Sequence, residues 1–315
     1  MSYTVDPEYL PMMGYVPRLD VSDAVSVRAL VRSMGEVDPM AGVPEGVVVN
    51  RREAPAADGS DIGLVVFSPE HRRKQLLPCI AYFHGGGFVF GDASTDVRVP
   101  SALAADLGAV VVSVNYRLSP EYPFPTPFND CFDALTWIAG DIDLGIDPAR
   151  LVVAGISAGA GLAAAVALKA RDIGGPAVHF QALDSPVLDD RLHTISATEY
   201  TDSPLWNRQN AIDSWRHYLG TDADVDRNQT SEYAAPSRAQ DLAGLPPAYI
   251  AVSSFDPLRD EGIDYARRLT QAGVPTELHL SPGTFHGSSG VFPQTAISNR
   301  IHADYTAAIR RALDS

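Results

Sequence analysis

The chain has 315 residues, 45% of them hydrophobic and 20% charged, a balance that suits one large α/β domain with an accessory element and excludes wholesale disorder. Its net charge of −15 excludes nucleic acid as a partner, since a phosphate backbone would be repelled, and disfavours stable membrane association. No stretch is long and apolar enough to cross a bilayer, and residues 1–20 carry prolines and acids where a leader would be basic and then apolar, so a cytoplasmic protein is expected.

Along the chain, residues 1–45 hold at least one helix, with Val21, Ala24, Val25, Arg28, Val31 and Met34 at partial helical spacing. From residue 46 strand-like and helix-like segments alternate. Residues 47–49 and 64–67 form an opening antiparallel pair around the turn Asp58-Gly59-Ser60. Further strands are predicted at 80–83, 109–116, 151–156, 178–183, 248–253 and 277–280, with helices near 96–107, 127–139, 158–171, 259–272 and 297–313. Continuous apolar strands separated by amphipathic helices mean a mostly parallel sheet covered on both faces. The fold class is therefore α/β, an eight-stranded mostly parallel sheet flanked by helices. Cys79 lies in an apolar strand and Cys131 follows an acidic helix start, so two reduced structural thiols are expected. Residues 187–232 break the alternation, carry Trp206, Trp215 and Tyr218, and include a helix over 210–219. An insertion of that length has structure or function of its own. With residues 1–45 it reads as a helical cap over a catalytic domain spanning 46–315.

The segment Gly155-Ile156-Ser157-Ala158-Gly159 sits between the fifth strand and an alanine-rich helix. A G-x-S-x-G between strand and helix is the nucleophile elbow, in which a sharp turn lifts the serine hydroxyl out of the sheet. A serine hydroxyl needs a base, and the base needs an orienting acid. In this fold they follow in the order serine, acid, histidine. Of the later histidines, His179 and His279 lie in strand-like runs, His193 and His217 in the insertion, and His302 in the last helix. His286 alone stands in a loop just past a strand end, where a parallel sheet delivers functional side chains. Asp256 directly follows the seventh strand, whereas Asp260 and Glu261 fall in the first turn of the next helix and suit its dipole. The acid is therefore Asp256. After the third strand comes His84-Gly85-Gly86-Gly87. Successive glycines fit a tight turn that approaches a ligand closely, and an HGGG-type loop supplies oxyanion donors together with the amide after the nucleophile, here Ala158. His84 precedes the serine and suits fixing this loop by hydrogen bonding. No P-loop lysine follows the glycines, which disfavours a phosphate cradle.

With these segments in view, the chain resembles the hormone-sensitive lipase family of α/β-hydrolases, the bacterial family IV esterases, over about residues 45–315. The resemblance rests on HGGGFVFGD at 84–92, NYRLSPEYPFPTPFNDC at 115–131, GISAG at 155–159, DPLRDEG at 256–262 and FHG at 285–287. It implies a Ser157–His286–Asp256 triad, with oxyanion donors on Gly86, Gly87 and Ala158 and Gly85 shaping the loop. It also implies a helical cap and hydrolysis of short- to medium-chain carboxylic esters without cofactor or metal. Family members are often homodimers, which makes that assembly an option. The family's usual GDSAGG or GTSAGG departs here at Ile156 and Ala160. Alternatives on the same triad are amide, lactone or carbamate hydrolysis. A non-catalytic small-molecule receptor is disfavoured by the complete triad.

Overall fold

Residues 4–34, 39–71, 76–220 and 229–315 are described by a computed structural model. Its strands are β1 (Val47–Pro55), β2 (Asp61–Pro69), β3 (Leu77–Phe83), β4 (Val110–Asn115), β5 (Ile146–Ile156), β6 (Phe180–Asp184), β7 (Ala248–Phe255) and β8 (Thr276–Phe285). Among the described residues they form one sheet in the order β1-β2-β4-β3-β5-β6-β7-β8. The pairs β1–β2 and β2–β4 are antiparallel, and every other pair is parallel. The helices are α1 (Ala24–Met34), α2 (Arg98–Leu107), α3 (Thr126–Gly140), α4 (Ala158–Ile173), α5 (Ile195–Glu199), α6 (Arg208–Leu219), α7 (Arg259–Gln271), α8 (Ser288–Val291) and α9 (Ala296–Leu313).

The interior strands are apolar on both sides because both faces are covered. One core joins the sheet to α3, α4 and α7, and a second joins it to α2 and α9. Runs of alanine in α4 let that helix lie close beneath the sheet, with Ala163, Ala164 and Ala167 fully buried. All parallel strands point the same way, so the elbow after β5, the loop after β3 and the turns after β7 and β8 meet at one edge.

Several bounds differ from the sequence reading. Strand β5 starts at Ile146, and β8 runs on through Ser281, Pro282 and Gly283 to Phe285. Residues 281–284 read as a loop from their turn chemistry, yet pairing continues from Ser253↔Ser281 to Phe255↔Phe285 across a register shift. His179 lies just ahead of β6, with Nε2 2.7 Å from the Ala312 carbonyl. The inward face of α1 also differs. Val25 is 72% and Met34 50% exposed, while Ala24 and Val27 face the core. The carboxylate of Asp23 accepts the Val25 and Ser26 amides, a cap that fixes where the helix begins.

In the insertion, α6 begins one turn's fraction earlier than expected because the Asn207 side chain accepts the Gln209 and Asn210 amides. Residues 1–3 and 35–38 of the N-terminal segment, and 221–228 of the insertion, lie outside the described residues. Cys79 and Cys131 are buried thiols and form no disulfide.

Candidate active site

Strand β5 delivers Ser157 into a backbone conformation of φ 57° and ψ −121°, a sparsely populated region for a residue with a side chain. Two hydrogen bonds enforce it. The Ser157 amide donates to the Asp184 carbonyl at 2.8 Å, and the Ser157 carbonyl accepts the Gly161 amide at 3.0 Å. The turn also needs bare backbone, since a Cβ on Gly159 would collide with the Phe83 carbonyl.

Three residues distant in sequence meet at this turn. Nε2 of His286 lies 2.9 Å from Oγ of Ser157, and its Nδ1 lies 2.7 Å from Oδ2 of Asp256. The other carboxylate oxygen of Asp256 accepts the Leu258 amide at 2.9 Å, so the acid cannot swing away from the ring. Asp256 is wholly buried, and Ser157 and His286 are each 5% exposed. Burial alone would depress the charged form of His286. The charge of Asp256 and its hydrogen bond outweigh it, and Asp184 adds to them, so the imidazole is held above its ordinary 6.5. Burial pushes the Cys131 thiol well up, with Asp130 adding to the push, which leaves it a poor nucleophile.

The glycine loop wraps over the serine. Gly85 packs against the elbow, where a Cβ would lie 3.2 Å from the Ile156 carbonyl and 3.5 Å from Cβ of Ser157. Gly86 and Gly87 have φ of 121° and 57°, and the amides of Val89 and Phe90 close the turn on the Gly86 carbonyl. Among the described residues no protein acceptor takes the amide hydrogen of Gly86, Gly87 or Ala158. Unpaired amides of this kind are what a site for developing negative charge needs.

His84 fixes the loop from below, as its position suggested. Its Nδ1 lies 2.8 Å from the Gly85 carbonyl, and its ring stacks on Tyr116 at 4.3 Å. The Tyr116 hydroxyl donates to the His84 carbonyl at 2.7 Å. Arg117 then clamps the buried Asp130 of α3 with both arms of its guanidinium. The stretch 115–131 is thus a buttress for the glycine loop.

From the outer side, Arg28 of α1 donates to the carbonyls of Val89 and Ser119 at 2.7 and 2.8 Å and pairs with Glu121. The insertion closes the other flank. Ser214 Oγ donates to the Gly87 carbonyl at 2.7 Å, and the Trp206 ring stands 5.9 Å from the His286 ring. A Cβ on Gly87 would come within 2.5 Å of that indole, so glycine is required there by packing as well as by φ. A groove of about 760 Å³ between α1 and residues 115–122 includes Phe90, Leu118 and Tyr122 in its wall but no triad residue.

The other histidines stay apart from this centre. His217 bonds the Val21 carbonyl, His302 the Ser289 carbonyl, and His279 lies beside Glu277. Asp260 accepts the Ser196 amide, in keeping with a structural role. Glu261 does more than meet a helix dipole, since its buried Oε1 accepts the Leu188 amide at 2.7 Å and so ties down the start of the insertion. Arg28 and Glu261 act on backbone groups 61 to 91 and 73 residues away in sequence, and no local pattern signals such bonds. Among the described residues no cluster of three or more His, Cys, Asp or Glu is placed to hold a metal ion. No helix there is long and apolar enough to cross a membrane.

Comparison with known proteins agrees with this geometry. A family described as alpha/beta hydrolase fold matches residues 80–289. Esterase LipI of Mycobacterium tuberculosis is 39% identical over 94% of this chain and 92% of its own length. Carboxylesterase NlhH of the same organism is 40% identical over 81% of this chain and 79% of its own. Among solved structures, a bacterial heroin esterase superposes with a TM-score of 0.94 at 44% identity, covering 99% of both chains.

Proposed function

Given that this chain belongs to the hormone-sensitive-lipase-like branch of the alpha/beta-hydrolase family and is a carboxylic ester hydrolase, we propose that Ser157 is its nucleophile, His286 its general base and acid, and Asp256 the carboxylate that orients His286. The observation that carries this reading is the unbroken hydrogen-bonded chain from Ser157 Oγ through His286 to Asp256, at 2.9 and 2.7 Å. Oγ attacks the ester carbonyl carbon as Nε2 takes its proton, and the new imidazolium is held by Asp256. The carbonyl oxygen, now negative, accepts from the amides of Gly86, Gly87 and Ala158, each such donor contributing about 3 kcal/mol to the transition state. Collapse breaks the bond to the alkoxide, which leaves with the proton from Nε2. Water, deprotonated by the same nitrogen, then attacks the acyl-serine and releases the carboxylic acid. Each bond made and broken balances with ester and water alone.

The substrates are short- to medium-chain esters, bound beneath a cap formed by residues 1–45 and the 187–232 insertion. Trp206 against Gly87 and His286 supports that role for the insertion. We further take the protein to be cytoplasmic, in line with two buried thiols, and to be a homodimer. The open edge of β8, with Leu278 and Leu280 40% and 50% exposed, offers a surface for a second copy.

Ser157→Ala tests the core of the reading. Activity on p-nitrophenyl esters is expected to fall by roughly 10⁴–10⁶. Retention of more than about a tenth of the activity by the purified, folded variant would overturn the nucleophile assignment.

A further inference from the structure

Strand β6 ends at Asp184, a carboxylate that the reaction above does not use. The pairing of β5 with β6 sets it directly across from Ile156, the residue before the nucleophile. Two small cavities flank it. One, of about 40 Å³, is lined by Tyr82, Arg98, Ile156, Asp184, Ser289 and His302 among others. The second, of about 10 Å³, is lined by Asp184 and Ser185 together with Gly287 and Ser288, the residues immediately after the base. Neither can admit an ester, so both belong to the framework of the site. The Asp184 backbone meanwhile holds the Ser157 amide. One residue thus touches the nucleophile's backbone and abuts the turn that carries the base.

We propose that Asp184 is a positioning residue for His286, a second carboxylate supplied from the strand beside the elbow, where the elbow's own neighbouring position is the apolar Ile156. This rests on the triad reading given above.

The surroundings leave its charge largely uncompensated. From α2 Arg98 faces the same cavity, but no ion pair within 4.0 Å joins it to Asp184. From α9 come His302 and Tyr305, from β3 Tyr82, from β7 Tyr249, and beyond β7 the acid Asp256. Burial, and then the cation of Arg98, hold His302 below 6.5, so it brings little positive charge. The Ser185 hydroxyl donates to Asp184 Oδ1 at 3.0 Å. Burial pushes the Asp184 carboxyl up to about 6 against the pull of Ser185 and His286. A carboxylate near an imidazolium raises the pKa of that ring.

The test is the pH dependence of kcat/KM from pH 5 to 9 on p-nitrophenyl butyrate for the wild type, Asp184→Asn, Asp184→Ser and Ile156→Asp/Asp184→Asn. Circular dichroism checks folding of each. With the negative charge gone, the acid limb of Asp184→Asn should move down by about half a pH unit, and Asp184→Ser should follow it. The double variant, which moves the carboxylate to the opposing strand position, should bring the midpoint back toward the wild-type value. A simple framework role predicts instead a lower plateau with an unmoved midpoint in every folded variant, and that result would overturn the proposal. A wild-type profile with no acid limb would overturn the triad reading as well, whereas a limb indifferent to residue 184 overturns this inference alone.

Discussion

At Ser157 the chain accepts a positive φ that costs about 1–3 kcal/mol for a residue with a side chain. In that conformation Oγ lies 2.9 Å from Nε2 of His286. His286 must be neutral to accept the proton, so kcat/KM should rise with pH through a midpoint above 6.5, the direction in which Asp256 moves the ring. Asp256→Asn removes the negative charge and, with its one oxygen held by the Leu258 amide, turns an NH2 donor toward Nδ1. It should lower that midpoint and reduce kcat by about 10⁴, measured as a pH–rate profile with a p-nitrophenyl ester. A midpoint unchanged by Asp256→Asn would mean that another group governs the acid limb.

At the scale of elements, the site depends on how α7 and the insertion are tied together. Glu261 is buried in the first turn of α7, and burial holds its carboxyl well above 4.5, opposed by the Leu188 amide it accepts. An acid raised on folding contributes stability that is present below its unfolded pKa and is lost as pH rises through the folded one. Glu261→Gln keeps an acceptor for Leu188 and removes the buried charge. Its thermal midpoint relative to wild type should therefore improve between pH 5 and pH 9, by about 2–4 °C per ~1 kcal/mol recovered, as read by thermal melts at both pH values.

The sheet was legible in the sequence because β3, β4 and residues 151–156 of β5 are largely apolar runs. The grouping of Ser157, Asp256 and His286 was legible because each directly follows a strand, β5, β7 and β8 in turn, at one edge. Other features resisted for physical reasons. Pro282 and Gly283 carry turn chemistry, yet β8 continues past them as an irregularity, with pairing to β7 resuming at Phe285. The weak apolar spacing of α1 could not fix which of its faces turns inward. Arg28, Glu261 and Asp184 act through backbone atoms or cavities that only the closed fold assembles.

Over the whole molecule, on the proposed reading, the reacting groups sit at the edge of the sheet and selectivity is assigned to α1, α6 and the segment around Trp206. Fully buried aromatics fasten that layer to the domain, with Phe88 stacked on Tyr218 at 3.8 Å and packed on Trp215. As the proposed cap, a layer packed in this way would suit small acyl groups better than long ones. Across esters from acetate to palmitate, kcat/KM should peak at short to medium chains and fall at least about tenfold by palmitate, since misfit near the reacting carbon is costly. A preference for palmitate would contradict this picture of the lid.

Arg28 adds a practical corollary. Its guanidinium is the anchor from which the far side of the Gly86–Gly87 turn hangs, through the Val89 carbonyl. Trimming or crowding the amino-terminal arm would slacken amide dipoles that sit far from the cut. Sluggish turnover in a shortened preparation would then report a loosened hinge behind intact chemistry, and a purification handle is better fused at the carboxyl end.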